Sequence, residues 1–129
     1  MITPLARAQV LVIDDEVSLG RSIKRALRHH DVALLEDGDA ALARLREGEL
    51  PHLVLCDLMM PGRSGMDLFE ALSRCRPEAL ERMVFMTGGS FTPECERFLE
   101  LQRVSVINKP FADGALADLV ARALSRLAP

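Results

Sequence analysis

The chain has 129 residues, 49% hydrophobic and 27% charged, the balance of an ordinary globular protein with room for one core. Sixteen Lys and Arg against nineteen Asp and Glu leave a net charge of −3, which makes no electrostatic case for nucleic acid, so no direct nucleic-acid partner is expected. No apolar run is long enough to span a membrane, the opening "MITPLARAQ" has no signal-peptide pattern, and Cys56, Cys75 and Cys95 fall in no metal or redox motif; a cytoplasmic chain with inert thiols and no membrane contact is expected.

In chain order, "QVLVID" (9–14) reads as a buried strand, and Leu19, Ile23, Ala26 and Leu27 then recur at helical spacing. A second strand covers 31–36, and a short helix covers 37–48, with Gly48 where a helix should stop. "HLVLCD" (52–57) is a third strand, followed by a helix from Gly65 to about Cys75 and then Pro77. A fourth strand is "RMVFMT" (82–87), and Thr92-Pro93 has the chemistry of an N-cap and first helical residue. "VSVIN" (104–108) is the fifth strand, and Leu116, Leu119, Val120, Ala123, Leu124 and Leu127 mark a last helix over 112–127.

Strand and helix alternate five times, and the strands lack clear in/out alternation. That predicts a parallel sheet covered on both faces: an open, doubly wound α/β three-layer sandwich, one domain over 1–129 with its core at about 9–127 and no output domain.

Sites in such sheets lie beyond the carboxyl ends of the strands, at the switch point in strand order. At those ends stand Asp14 and Asp15, Asp57, Thr87 and Lys109. Each alone is ordinary turn or surface chemistry; all on one edge make a candidate site. Three neighbouring carboxylates repel, so a cation is needed to keep them ionised, and Mg²⁺ suits hard oxygen ligands. A metal, a lysine and a threonine hydroxyl can together neutralise and hold a phosphoryl group, and a carboxylate can act as the nucleophile toward phosphorus.

"VLVIDDE" (10–16), "LVLCDLMMPGRSG" (53–65), "MTGG" (86–89) and "NKPF" (108–111), in this order and spacing, resemble the receiver domain of two-component response regulators over about residues 9 to 127. The resemblance implies a flavodoxin-like sheet of order 2-1-3-4-5. It implies that Asp57 accepts a phosphoryl group from the phosphohistidine of a histidine kinase or histidine phosphotransfer domain. Asp14, Asp15, Asp57 and the backbone carbonyl of Met59 would hold Mg²⁺, Thr87 and the Gly88 backbone N–H would contact the phosphoryl group, and Lys109 would pair with it. A cis Lys109–Pro110 bond and origin in a hybrid histidine kinase are also implied, and a homodimer is left open. One departure concerns switching: the position three before the lysine, often aromatic, is Val106, and the chain has no Tyr. Output would then pass through "TGGSFTPE" (87–94) and the helix that follows.

Other readings stand beside these. A Mg²⁺-dependent aspartyl-phosphate phosphatase usually carries a second acid two residues after its nucleophile, where this chain has Met59. A degenerate receiver that only binds partners would not need the complete set of five polar residues. His29 and His30 are read as cations at a helix C-terminus. Ser64 is read as a local hydrogen-bonding residue, and Arg21, Lys24, Arg25 and Arg28 as a solvated face that could dock an acidic partner.

Overall fold

Successive side chains along the inner strands leave the sheet on opposite faces, and both faces are buried. The computed structural model describes residues 7–88 and 92–127. Its strands β1 (Gln9–Ile13), β2 (Asp31–Leu35), β3 (Leu53–Asp57), β4 (Met83–Thr87) and β5 (Ser105–Asn108) form one parallel sheet. Its order is β2-β1-β3-β4-β5, as expected. The crossovers are α1 (Val17–Ala26), α2 (Gly38–Arg46), α3 (Gly65–Cys75) and α4 (Pro93–Gln102), and α5 (Ala115–Leu127) closes the chain.

Val10, Val12, Leu53, Leu55, Val84 and Met86 pack with Ile23, Leu27, Val120 and Ala123, beneath α1 and α5. Their neighbours in sequence, Leu11, Ile13, Val54, Cys56 and Phe85, pack with Ala41, Leu45, Leu68, Leu72 and Cys95, beneath α2, α3 and α4. Two layers of helix thus account for the continuous apolar runs of β1, β3 and β4. Edge strand β5 is mostly exposed. Phe98 of α4 sits edge-on to Phe69 and Phe85, with ring centroids 5.2 and 5.6 Å away, which seats α4 beside the carboxyl end of β4.

Caps set the helix bounds. The Asp37 side chain accepts from the Ala40 N–H at 2.7 Å, so α2 starts one residue later than the spacing suggests. Ser64 and Asp67 form a reciprocal capping box on α3, which is the local role expected of Ser64. Thr92 caps α4 through the Cys95 N–H at 3.1 Å. The last helix begins at Ala115 rather than 112, because Gly114 adopts a left-handed φ of +79°. Pro77, expected only to follow a helix, opens a short 3₁₀ turn, Pro77–Arg82, and Arg82 donates to the Pro51 carbonyl at 2.8 Å instead of joining β4. His29 and His30 lie beyond the end of α1, and His30 Nδ1 accepts from the Ala8 N–H at 3.1 Å, tying the segment after α1 to the residue just before β1. The Lys109–Pro110 bond is cis. Gly89, Ser90 and Phe91 of the expected output segment lie outside the described residues.

Gly65 packs directly against the backbone that follows β3. A Cβ there would stand 2.5 Å from the Asp57 carbonyl oxygen and 3.0 Å from Leu58 Cα. Backbone cannot yield as a side-chain tip can. Gly65→Ala is therefore expected to lower stability by about 2 kcal/mol, read as the midpoint of urea unfolding.

Candidate phosphoryl-accepting site

Three backbone bonds beyond the strand ends hold the polar edge in place. The Asp14 N–H donates to Leu35 O at 3.0 Å, extending β1 along β2. Leu58 N–H donates to Met86 O at 3.0 Å, fixing the chain just after Asp57. Lys109 N–H donates to Thr87 O at 2.7 Å, carrying β5 one residue further along β4. Asp14, Asp15, Asp57, Thr87, Gly88 and Lys109 therefore share the carboxyl edge, at the switch point where β1 lies between β2 and β3.

Lys109 is the hub. Its Nζ lies 2.9 Å from Asp14 Oδ2 and 3.5 Å from Asp57 Oδ2. The Asp14 side chain is fully buried, and that of Asp57 is 13% exposed. Asp14 Oδ1 accepts from the Glu16 N–H at 2.8 Å, and Asp57 Oδ1 from the Met59 N–H at 3.3 Å. A cleft of about 250 Å³ opens above these groups, lined by Asp57, Met59, Thr87, Gly88, Cys95 and Lys109.

The electrostatics of the cleft are unbalanced. Burial, then the Asp14 charge and more weakly Asp15, push the Asp57 carboxyl up to about 6, against the opposing pull of Lys109 and the Met59 N–H. Burial works against the Lys109 charge, but Asp14 and Asp57 outweigh it and hold its pKa above the usual lysine value. Burial, with help from Asp57 and Asp14, pushes the Cys56 thiol far up, so this cysteine is inert, as expected.

Carboxylate oxygens of Asp14, Asp15 and Asp57 lie within 4.8 Å of one another. Three carboxylates against one ammonium leave two negative charges, which one divalent cation would balance. The donors are all hard oxygens, and exposed Asp15 leaves room for water ligands. The residues present therefore fit Mg²⁺.

Two neighbours of the site were not legible as such in the sequence. The Thr87 hydroxyl donates to Asn108 Oδ1 at 3.0 Å, so it is turned toward β5. The signal was present in "NKPF", but only the β4–β5 register, which sets Thr87 opposite Asn108, gives it meaning. Buried Cys95, one turn into α4, lies with its Sγ 3.1 Å from Met59 Sδ and walls the cleft. Val106 is 40% exposed on β5 and reaches no part of the cleft lining.

A family model described as the response regulator receiver domain matches residues 10–121. The DNA-binding response regulator MtrA of Mycolicibacterium paratuberculosis is 37% identical over 123 residues, covering 94% of this chain and 52% of that protein. The transcriptional regulatory protein DltR of Streptococcus agalactiae is 38% identical over 113 residues, 84% of this chain and 49% of that protein. A crystal structure of a response regulator receiver domain protein from Clostridium thermocellum superposes with a TM-score of 0.76 at 24% identity, covering 92% of this chain and 95% of that one. The chain spans about half the length of the curated relatives it matches. These relatives overturn the expectation of no direct nucleic acid. MtrA is named as DNA-binding, and a charge of −3 summed over 129 residues does not speak for contacts made by proteins about twice as long. Among the described residues, no helix is long and apolar enough to cross a membrane.

Proposed function

The chain belongs to the response-regulator receiver family, and on that premise we propose that it is a phosphoacceptor switch in which Asp57 takes a phosphoryl group from a partner's phosphohistidine. The observation that carries this reading is the meeting of Asp14, Asp57 and Lys109 through one ammonium group at the carboxyl edge of the sheet. An Asp57 oxygen forms a bond to phosphorus, the P–N bond of the donor breaks, and the donor nitrogen keeps the electron pair. Asp57 must be ionised to attack, and Lys109 and the Met59 N–H favour that form. Asp14, Asp15, Asp57 and the Met59 carbonyl would hold Mg²⁺, which supplies positive charge to the transferring oxygens. Lys109 then pairs with the phosphoryl group, and the Gly88 N–H and Thr87 hydroxyl hydrogen-bond to it.

Thr87 has to leave Asn108 to do so, and this exchange takes the place of an aromatic gate. Asn108→Ala removes the competing acceptor and should raise the phosphorylated fraction at limiting donor about threefold, the worth of one modest hydrogen bond. Val106→Ala should leave the phosphorylation rate nearly unchanged. Intact-mass time courses read both; a large drop for Val106→Ala would restore the gating role to that position.

The donor is a histidine kinase or histidine phosphotransfer domain, and the site of action is the cytoplasm. The names of the curated relatives favour control of DNA binding as the output over a receiver at the end of a hybrid kinase. The test is incubation with Mg²⁺ and acetyl phosphate. The reading requires a mass gain of one phosphoryl group, lost with EDTA and absent in Asp57→Ala. Turnover of a generic phosphate ester would favour a phosphatase instead, and no gain even from a phosphohistidine donor would favour a binding module.

A further inference from the structure

Met59 sits on a loop, residues 58–64, that is gripped from two sides. On the sheet side Leu58 and Met60 are buried in the core, the Gly65 N–H donates to Leu58 O at 3.1 Å, and Gly65 lies against the Asp57 carbonyl. On the far side the loop meets the first turn of α2. A Cβ on Gly38 would stand 2.3 Å from the Arg63 carbonyl oxygen and 2.8 Å from Arg63 Cβ, so the two backbones touch with no space for a side chain. Next to it, Arg63 Nε donates to Asp39 Oδ1 at 2.8 Å.

No α2 residue lines the cleft, so this contact has no direct part in the chemistry. Nor does it look like a device for stability. Asp39 is 79% exposed, and ion pairs so open to water contribute little to folding. What the contact does control is position. With Leu58 and Met60 anchored below, the height of the loop at Arg63 sets the path of the backbone at Met59, the residue whose N–H already reaches Asp57.

We propose that the first turn of α2, through Gly38 and the Asp39–Arg63 pair, is a positioning element for the metal site, holding the Met59 backbone in register with Asp57. This rests on the reading of the site as a Mg²⁺-dependent phosphoacceptor. Residues that orient metal ligands without touching the ion change metal affinity when they are replaced.

The experiment is a Mg²⁺ titration of the whole chain, followed by isothermal calorimetry and by backbone amide shifts, with the phosphorylation rate measured across the same Mg²⁺ range. Arg63→Ala and Asp39→Asn should weaken Mg²⁺ binding by about threefold, and Gly38→Ala by about tenfold, with the rate restored at saturating Mg²⁺. The swap Asp39→Arg with Arg63→Asp should recover most of the lost affinity. Wild-type Mg²⁺ affinity in all the folded variants, with only thermal stability altered, would overturn the inference. If Gly38→Ala does not fold, the two surface variants decide alone. If the wild-type chain itself binds no Mg²⁺, the functional reading fails together with this inference; a wild-type chain that binds and is phosphorylated, with insensitive variants, sinks only the inference.

Discussion

Replacing Lys109 with methionine is expected to cost about 3 kcal/mol of folding stability at pH 7.5 and to reduce phosphotransfer by about a hundredfold or more. The argument starts from burial. Asp14 has no exposed side-chain surface, Asp57 very little, and Lys109 contacts both. Methionine keeps the volume of the stem but leaves two carboxylates crowded in a poorly hydrated cleft with no cation. Lys109 has a folded pKa above its unfolded one, so its contribution is fully present through neutral pH and is lost only as alkaline pH passes through that raised value. Toward pH 5 the penalty of the variant should shrink, since Asp57 takes up a proton near 6 and relieves the repulsion. Urea unfolding of both proteins at the two pH values reads the first effect, and intact mass with acetyl phosphate reads the second. Equal midpoints at pH 7.5 would mean that the lysine is not what balances the aspartates.

Asp57→Asn should act in the opposite direction, stabilising the metal-free protein by about 2 kcal/mol at pH 7.5. The folded carboxyl titrates at about 6 against an ordinary 3.8. Between these values the native state holds more protons than the unfolded chain, so wild-type stability falls as pH rises from about 4 to about 6 and then levels off. Asparagine has no such cost. Below pH 4 the two proteins should therefore unfold alike, and above 6 the variant should lead. Saturating Mg²⁺ should reverse the order, because only the carboxylate gains from the cation. A variant less stable than wild type at pH 7.5 without Mg²⁺ would contradict the strained-charge account of the site.

Much of this was legible in the chain itself. The site could be read because β1, β3 and β4 are apolar runs that end abruptly in Asp14, Asp57 and Thr87, and a parallel sheet brings all carboxyl ends to one edge. Helix starts at Ser64 and Thr92 were readable because capping is local chemistry. What depends on register or on loops meeting in space was not readable. The Thr87–Asn108 bond needs the β4–β5 pairing, Cys95 reaches the cleft only once α4 is seated, and nothing local to "EDGDA" shows that Gly38 abuts Arg63. The last helix was started too early because its apolar spacing does not register the left-handed turn at Gly114, and the 3₁₀ turn was missed because Pro77 was read only as the end of a helix, not as the first residue of a new turn. The nucleic-acid expectation failed for another reason: net charge describes the stretch counted, and the relatives act with about twice that length.

The central claim is that Asp57 carries the phosphoryl group, and the most direct test is chemical mapping of the acyl phosphate. After phosphorylation with Mg²⁺ and acetyl phosphate, borohydride reduces an aspartyl phosphate to homoserine, and peptide mass spectrometry then finds the altered residue. The account predicts homoserine at position 57 and nowhere else, with none formed when Mg²⁺ is chelated. An unaltered residue 57, with phosphate instead on His29, His30 or Ser64, would contradict it.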